Sequence, residues 1–180
     1  TLPRQAICLT QETDIMKKML TVLLTTGVVL LSLGTEAFAA GSSSRPAEDT
    51  RPGVSQYNAG VKLMQKGKYE NAAEKFEAAL KKNPGMAEAH NNLGYSLRKQ
   101  GSGNYERALS HYNRAIELKP DLAEAYMYRG VLHALMGNEK KALEDHSKLT
   151  RLDRRLADAL QAAIASGEEP DGLDGLAKKW

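Results

Sequence analysis

An all-α solenoid is the fold class this sequence predicts: three helix–turn–helix units, closed by one further helix. Three observations carry it. Glycines recur at Gly60, Gly94 and Gly130, spaced 34 and 36 residues apart. A second glycine follows seven residues after each, at Gly67, Gly101 and Gly137. The intervening residues then repeat by type. Ala72, Ala108 and Ala142 align, Phe76, Tyr112 and His146 stand four residues beyond them, and Pro84 and Pro120 close the first two units. Self-similarity at such a period marks stacked supersecondary units, each unable to bury its apolar face alone.

Each element follows from this register. Gly60 and Ala72 are small, so two antiparallel helices approach closely. Gly67 ends the first helix of its unit because glycine adopts positive φ without strain. Pro84 ends the second helix, having no N–H to continue it. The units run over 53–86, 87–122 and 123–156. Ser102 and Gly103 are two extra residues in the inner turn of the second unit, which predicts a longer turn. In the third unit Arg154 stands where the closing proline is expected. Its second helix is therefore expected to run on or to turn less sharply. Residues 156–166 (LADALQAAIAS) form an amphipathic capping helix over the last unit. Residues 167–180 carry three glycines and a proline and read as a loose tail, with Trp180 packing back.

At these residues the sequence resembles the tetratricopeptide repeat (TPR) family. The resemblance implies a right-handed α-solenoid whose first helices line a concave groove and whose second helices form the convex back. It also implies a non-catalytic protein–protein interaction module, with a partner peptide or helix in the groove. Carried onto this chain, the groove positions are Tyr57, Asn58, Val61, Asn91, Asn92, Tyr95, Arg98, Lys99, Met127, Tyr128 and Val131. Asparagine side chains satisfy both N–H and C=O of an extended backbone. Tyrosines give rigid amphipathic contact area. Arg98 can grip a carboxylate with two bonds. A neutral-to-acidic peptide suits this surface. The family's chaperone adaptors hold a C-terminal carboxylate with a set of groove Lys, Arg and Asn residues. Here only Asn92 matches that pattern, while Tyr57, Val61, Glu124 and Tyr128 fill the other places, so that clamp is disfavoured.

The N-terminal segment reads as an address. Lys17 and Lys18 precede an apolar stretch from Met19 to Leu33, followed by Ala37-Phe38-Ala39-Ala40. A cationic end, an apolar core of about fifteen residues and a small-residue cleavage site describe a signal peptide over 16–39, cut after Ala39. The rival reading is a retained anchor, for which the run is short against the ~20 residues a span requires. Residues 1–15 read as an upstream extension, and 40–53 as a flexible, Ser- and Gly-containing linker. The expected product is exported, periplasmic in a bacterium, and free of the membrane after cleavage.

Chemistry beyond binding finds little purchase. The single cysteine, Cys8, lies in the extension, so no disulfide or thiolate cluster is expected. No H-x-x-x-H pair occurs among His90, His111, His133 and His146. They take packing positions, with His133 and His146 expected to touch. No phosphate loop or nucleophile elbow is present. No enzyme activity, cofactor or metal is expected. The net charge is +3, and the basic clusters alternate with acids, which argues against nucleic acid. Arg129, placed just before Gly130, is expected to pair with Asp145 as a partly buried ion pair. The partner reading is another protein, held by an adaptor or scaffold. The alternative is self-association into a structural homo-oligomer of an envelope assembly.

Overall fold

The computed structural model describes residues 51–169, all within one compact unit. The signal peptide, the extension, the linker up to residue 50 and the tail from residue 170 lie outside the described residues. Seven α-helices follow in order: α1 Val54–Met64, α2 Tyr69–Lys82, α3 Ala87–Lys99, α4 Tyr105–Leu118, α5 Ala123–Leu135, α6 Glu139–Leu152 and α7 Arg154–Ser166. They pair as antiparallel hairpins α1–α2, α3–α4 and α5–α6, with α7 packed on both α5 and α6. No helix among the described residues is long and apolar enough to cross a membrane.

The repeating small and large residues account for the pairing. Ala72, Ala108 and Ala142 are completely buried, as are Phe76 and Tyr112. In the first two hairpins the ring packs directly against the glycine of the partner helix. A β-carbon on Gly60 would sit 2.7 Å from Phe76, and one on Gly94 would sit 2.8 Å from Tyr112. The third hairpin departs from this. His146 occupies the ring position by register but is only half-buried. The space over Gly130 is filled by Leu160 of α7, 2.5 Å from where a β-carbon would stand. The closing helix therefore replaces the missing aromatic as well as covering the end.

The turns follow the sequence with one correction. Gly67 and Gly137 take φ 70° and 73° at their inner turns, where a side chain would be strained. The longer second inner turn forms a single 3-10 turn over Ser102–Asn104. The outer links 83–86 and 119–122 leave the helix through extended residues, Asn83 and Lys119. The third link contains no proline, yet α6 does not run on. Asp153 adopts φ −154° and ψ 104°, and its carboxylate accepts from the backbone N–H of Leu156 at 3.1 Å. An N-cap of this kind starts a helix by satisfying one of its free N–H groups. It substitutes here for the proline break and makes the link a single residue, so α7 begins at Arg154.

The middle of the stack is the most enclosed part. All eight residues from Asn91 to Arg98 on α3 are buried. This helix touches α1, α2, α4 and α5, so an ordinarily amphipathic helix is enclosed nearly all round.

Candidate binding groove

The eleven groove positions lie on α1, α3 and α5, and contacts join Tyr57 to Asn92 and through it to Asn91, and Tyr95 to Tyr128 and Arg98. Tyr57 of α1 accepts a hydrogen bond from Asn92 Nδ2 at 3.0 Å, and Asn91 donates to Asn92 Oδ1 at 3.2 Å. Val61, Met127 and Val131 are fully buried apolar neighbours. Tyr95 stands between Tyr128 of α5 and Tyr69 of α2, with ring centroids 4.9 and 6.0 Å away. Tyr112 lies 6.1 Å from Tyr128 on the other side. Only Asn58 and Lys99 of the eleven are half-buried; the other nine are buried. The reason lies partly in their mutual packing: Tyr57 on Phe76 and Asn92, Tyr95 wedged between two rings, Arg98 beneath a tail residue.

Arg98 is the electrostatic centre of this face. Its side chain is 1% exposed, and its guanidinium lies 5.1 Å from the Tyr95 ring and 6.0 Å from the Tyr128 ring. Nη2 donates to Glu169 Oε1 at 2.9 Å, and Lys99 Nζ reaches the same oxygen at 3.4 Å. Burial opposes the Arg98 charge, but the neighbouring Tyr112 phenol and Glu169 carboxylate more than offset it and hold its pKa above the ordinary value. Nε and Nη1 have no hydrogen-bond partner. The phenols stay protonated: burial raises Tyr57 and Tyr128 and pushes Tyr112 up to about 12.

Sequence reasoning missed Glu169. The tail was expected to be loose from residue 167, but its first residues are placed by the end of α7. Gly167 takes φ 69°, and its N–H donates to the Ala163 carbonyl. The Glu168 N–H donates to Ser166 Oγ at 3.1 Å. This turn carries Glu169 onto α3. The Ser-Gly pair after an apolar helix was the available signal, being a C-cap pattern with a directed exit.

The histidines also differ from expectation. The touching pair is His90 and His111, not His133 and His146. Their Nδ1 atoms are 3.0 Å apart and the rings stack at 5.3 Å. His90 Nε2 lies 3.1 Å from the Pro84 carbonyl oxygen. A carbonyl only accepts, so His90 carries its proton on Nε2, and in the neutral pair its Nδ1 accepts from His111. Burial lowers the pKa of His90. Burial, His90 and Arg107 lower that of His111 to about 4. The pair borders an open surface pocket of about 500 Å³. Among the described residues no three His, Cys, Asp or Glu side chains converge as metal ligands.

Arg129 and Asp145 do form the expected ion pair. Arg129 Nε and Nη2 meet the two carboxylate oxygens at 3.0 and 2.6 Å, while Nη1 donates to Asn113 of α4 at 2.7 Å. Asp145 is 3% exposed and Arg129 22%.

Comparison with known proteins agrees with this geometry. The TPR repeat family model matches residues 60–101 and 102–137. Among curated proteins none matches the sequence. Two solved structures share the fold. One is the first TPR of Spaghetti (RPAP3) bound to the HSP90 peptide SRMEEVD, with TM-score 0.59 and 19% identity, covering 66% of this chain and 94% of that one. The other is the second TPR of Spaghetti (RPAP3) bound to the same peptide, with TM-score 0.54 and 23% identity, covering 57% and 94%. Residues 60–137 match the tetratricopeptide repeat, and the glycine and alanine register and the stacked hairpins agree with that match.

Proposed function

We propose that this chain is a non-catalytic protein-interaction module, exported and acting as a periplasmic adaptor, that holds a partner peptide or helix on the face formed by α1, α3 and α5. The observation carrying the reading is the convergence of Tyr57 of α1, Asn92, Tyr95 and Arg98 of α3 and Tyr128 of α5, with Lys99 at the rim beside Arg98. Asn58 and Lys99 at the half-buried rim can reach a peptide, and the adjacent cations Arg98 and Lys99 match an acid. The two fold neighbours, solved with an acidic peptide, support a peptide ligand. The chaperone-type clamp is not carried over, because Tyr57, Val61, Glu124 and Tyr128 stand at four of its positions. The export half of the proposal rests on the cationic, apolar and A-x-A segments of residues 16–39.

Site-specific photo-crosslinking in the exporting cell tests it. A benzoylphenylalanine at Asn58 or Lys99, both half-buried at the rim, is expected to capture a partner. The same probe at Leu143 on the second helix of the third hairpin, 40% exposed, is expected to capture none. Capture from Leu143 alone would move the site to the convex back. Capture of a second copy of this chain would turn the adaptor into a self-assembling component. The mass of the captured chain also tests cleavage after Ala39.

A further inference from the structure

We propose that Arg98 and Lys99 form a carboxylate seat which the chain's own Glu169 occupies, so that an acidic partner side chain binds by displacing the start of the tail. This rests on the groove reading above and names both the chemistry of one subsite and its competitor. Three observations carry it.

The first is the state of Arg98. A guanidinium has five N–H donors and stays charged, so enclosing it demands acceptors. Arg98 is enclosed between Tyr95 and Tyr128, yet among its three nitrogens only Nη2 has an acceptor. Nε and Nη1 are buried and make no hydrogen bond within bonding geometry, with the neutral Tyr112 phenol as their nearby oxygen and no carboxylate.

The second is the way Glu169 sits. One oxygen, Oε1, serves both Arg98 Nη2 and Lys99 Nζ. The fork that would satisfy two guanidinium nitrogens with two carboxylate oxygens is not made, as it is at Arg129 and Asp145. A carboxylate arriving on a separate segment is free to meet the fork in parallel and to make one bond more than Glu169 does.

The third is the anchorage of Glu169. It is held by one turn after α7, and its side chain remains 27% exposed. Nothing in the core has to move for it to leave. The linkage is intramolecular, so Glu169 competes at an effective concentration in the millimolar range. A ligand in solution must overcome this, and removing the Glu169 charge removes the competitor.

The probe is a synthetic peptide of residues 164–169, acetylated and amidated so that its two glutamates are its only carboxylates. It is titrated into the full chain labelled with nitrogen-15 at arginine, and the Arg98 Nε–H resonance is followed. Glu169→Gln is expected to bind the peptide about tenfold more tightly than the unaltered chain. A peptide carrying Glu168→Gln and Glu169→Gln is expected to leave the resonance unmoved, and Lys99→Gln in the Glu169→Gln chain to weaken binding. None of these changes touches a buried side chain, so folding does not confound the result. Equal affinity for the unaltered and Glu169→Gln chains would overturn the competition. Equal binding of the uncharged peptide would overturn the seat itself. Either failure, alongside partner capture from Lys99, would leave the groove reading standing. Capture failing while the seat holds would remove the partner and keep the subsite.

Discussion

Gly94 shows how a single atom sets the distance between two helices. A β-carbon there would lie 2.8 Å from the Tyr112 ring and 3.0 Å from the Ala108 carbonyl. The ring is fully buried and the carbonyl is backbone, so neither can swing away. Gly94→Ala is expected to destabilise the fold by about 1–3 kcal/mol, as overpacking does, measured by urea denaturation. Arg129→Leu removes the guanidinium paired with a carboxylate that is 3% exposed, and ~3–5 kcal/mol is expected from stranding it. Arg129→Leu with Asp145→Leu is expected to cost much less, because both charges leave together. The histidine pair sets a pH dependence. Both pKa values lie below 6.5 when folded. The unfolded chain therefore takes up protons first as pH falls, and the stability present above pH 6.5 is lost as pH drops towards the folded value of His111, about 4. Allowing for partial exposure, a loss on the order of 1–2 kcal/mol is expected between pH 7 and about pH 5. His111→Gln should flatten that slope.

At the scale of the element, the sequence was most legible where geometry admits few residues. Glycine is required where two helices nearly touch, and alanine and the flat ring beside it leave an equally narrow choice. Charged and polar tail residues carry no such constraint, and for that reason Glu169 and its contact with Arg98 escaped notice. The third outer link was misjudged for a related cause. The missing proline predicts a helix that runs on or turns less sharply, but a capped restart ends the preceding helix just as well. Asp153→Ala is expected to lower stability by about 1 kcal/mol, read as a fall in the urea midpoint with an unchanged slope. The histidine contact escaped because register fixes which face a residue takes, and not which of several rings across the interface it meets.

Across the whole molecule, the stack protects its middle. Every residue from Asn91 to Arg98 is buried, whereas α1 and α7 each have one neighbouring hairpin. Stability in such arrays is the sum of unit and nearest-neighbour terms. Native-state hydrogen exchange is therefore expected to be slowest at the α3 amides and fastest towards α1 and α7. Equal protection along the chain would mean that the unit opens as one body. Of the groove positions, those on α3 belong to this enclosed middle, while Tyr57, Asn58 and Val61 lie on the end helix α1.

Leu160 seated over Gly130 also limits how far the array can grow. Another hairpin appended after Leu152 would need the outer faces of α5 and α6, and α7 already covers them. That edge is closed to any copy that would add on as a repeat adds on. Lengthening this protein by duplication would have to insert units ahead of residue 123, leaving the final pair and its terminal helix together as one inseparable stopper.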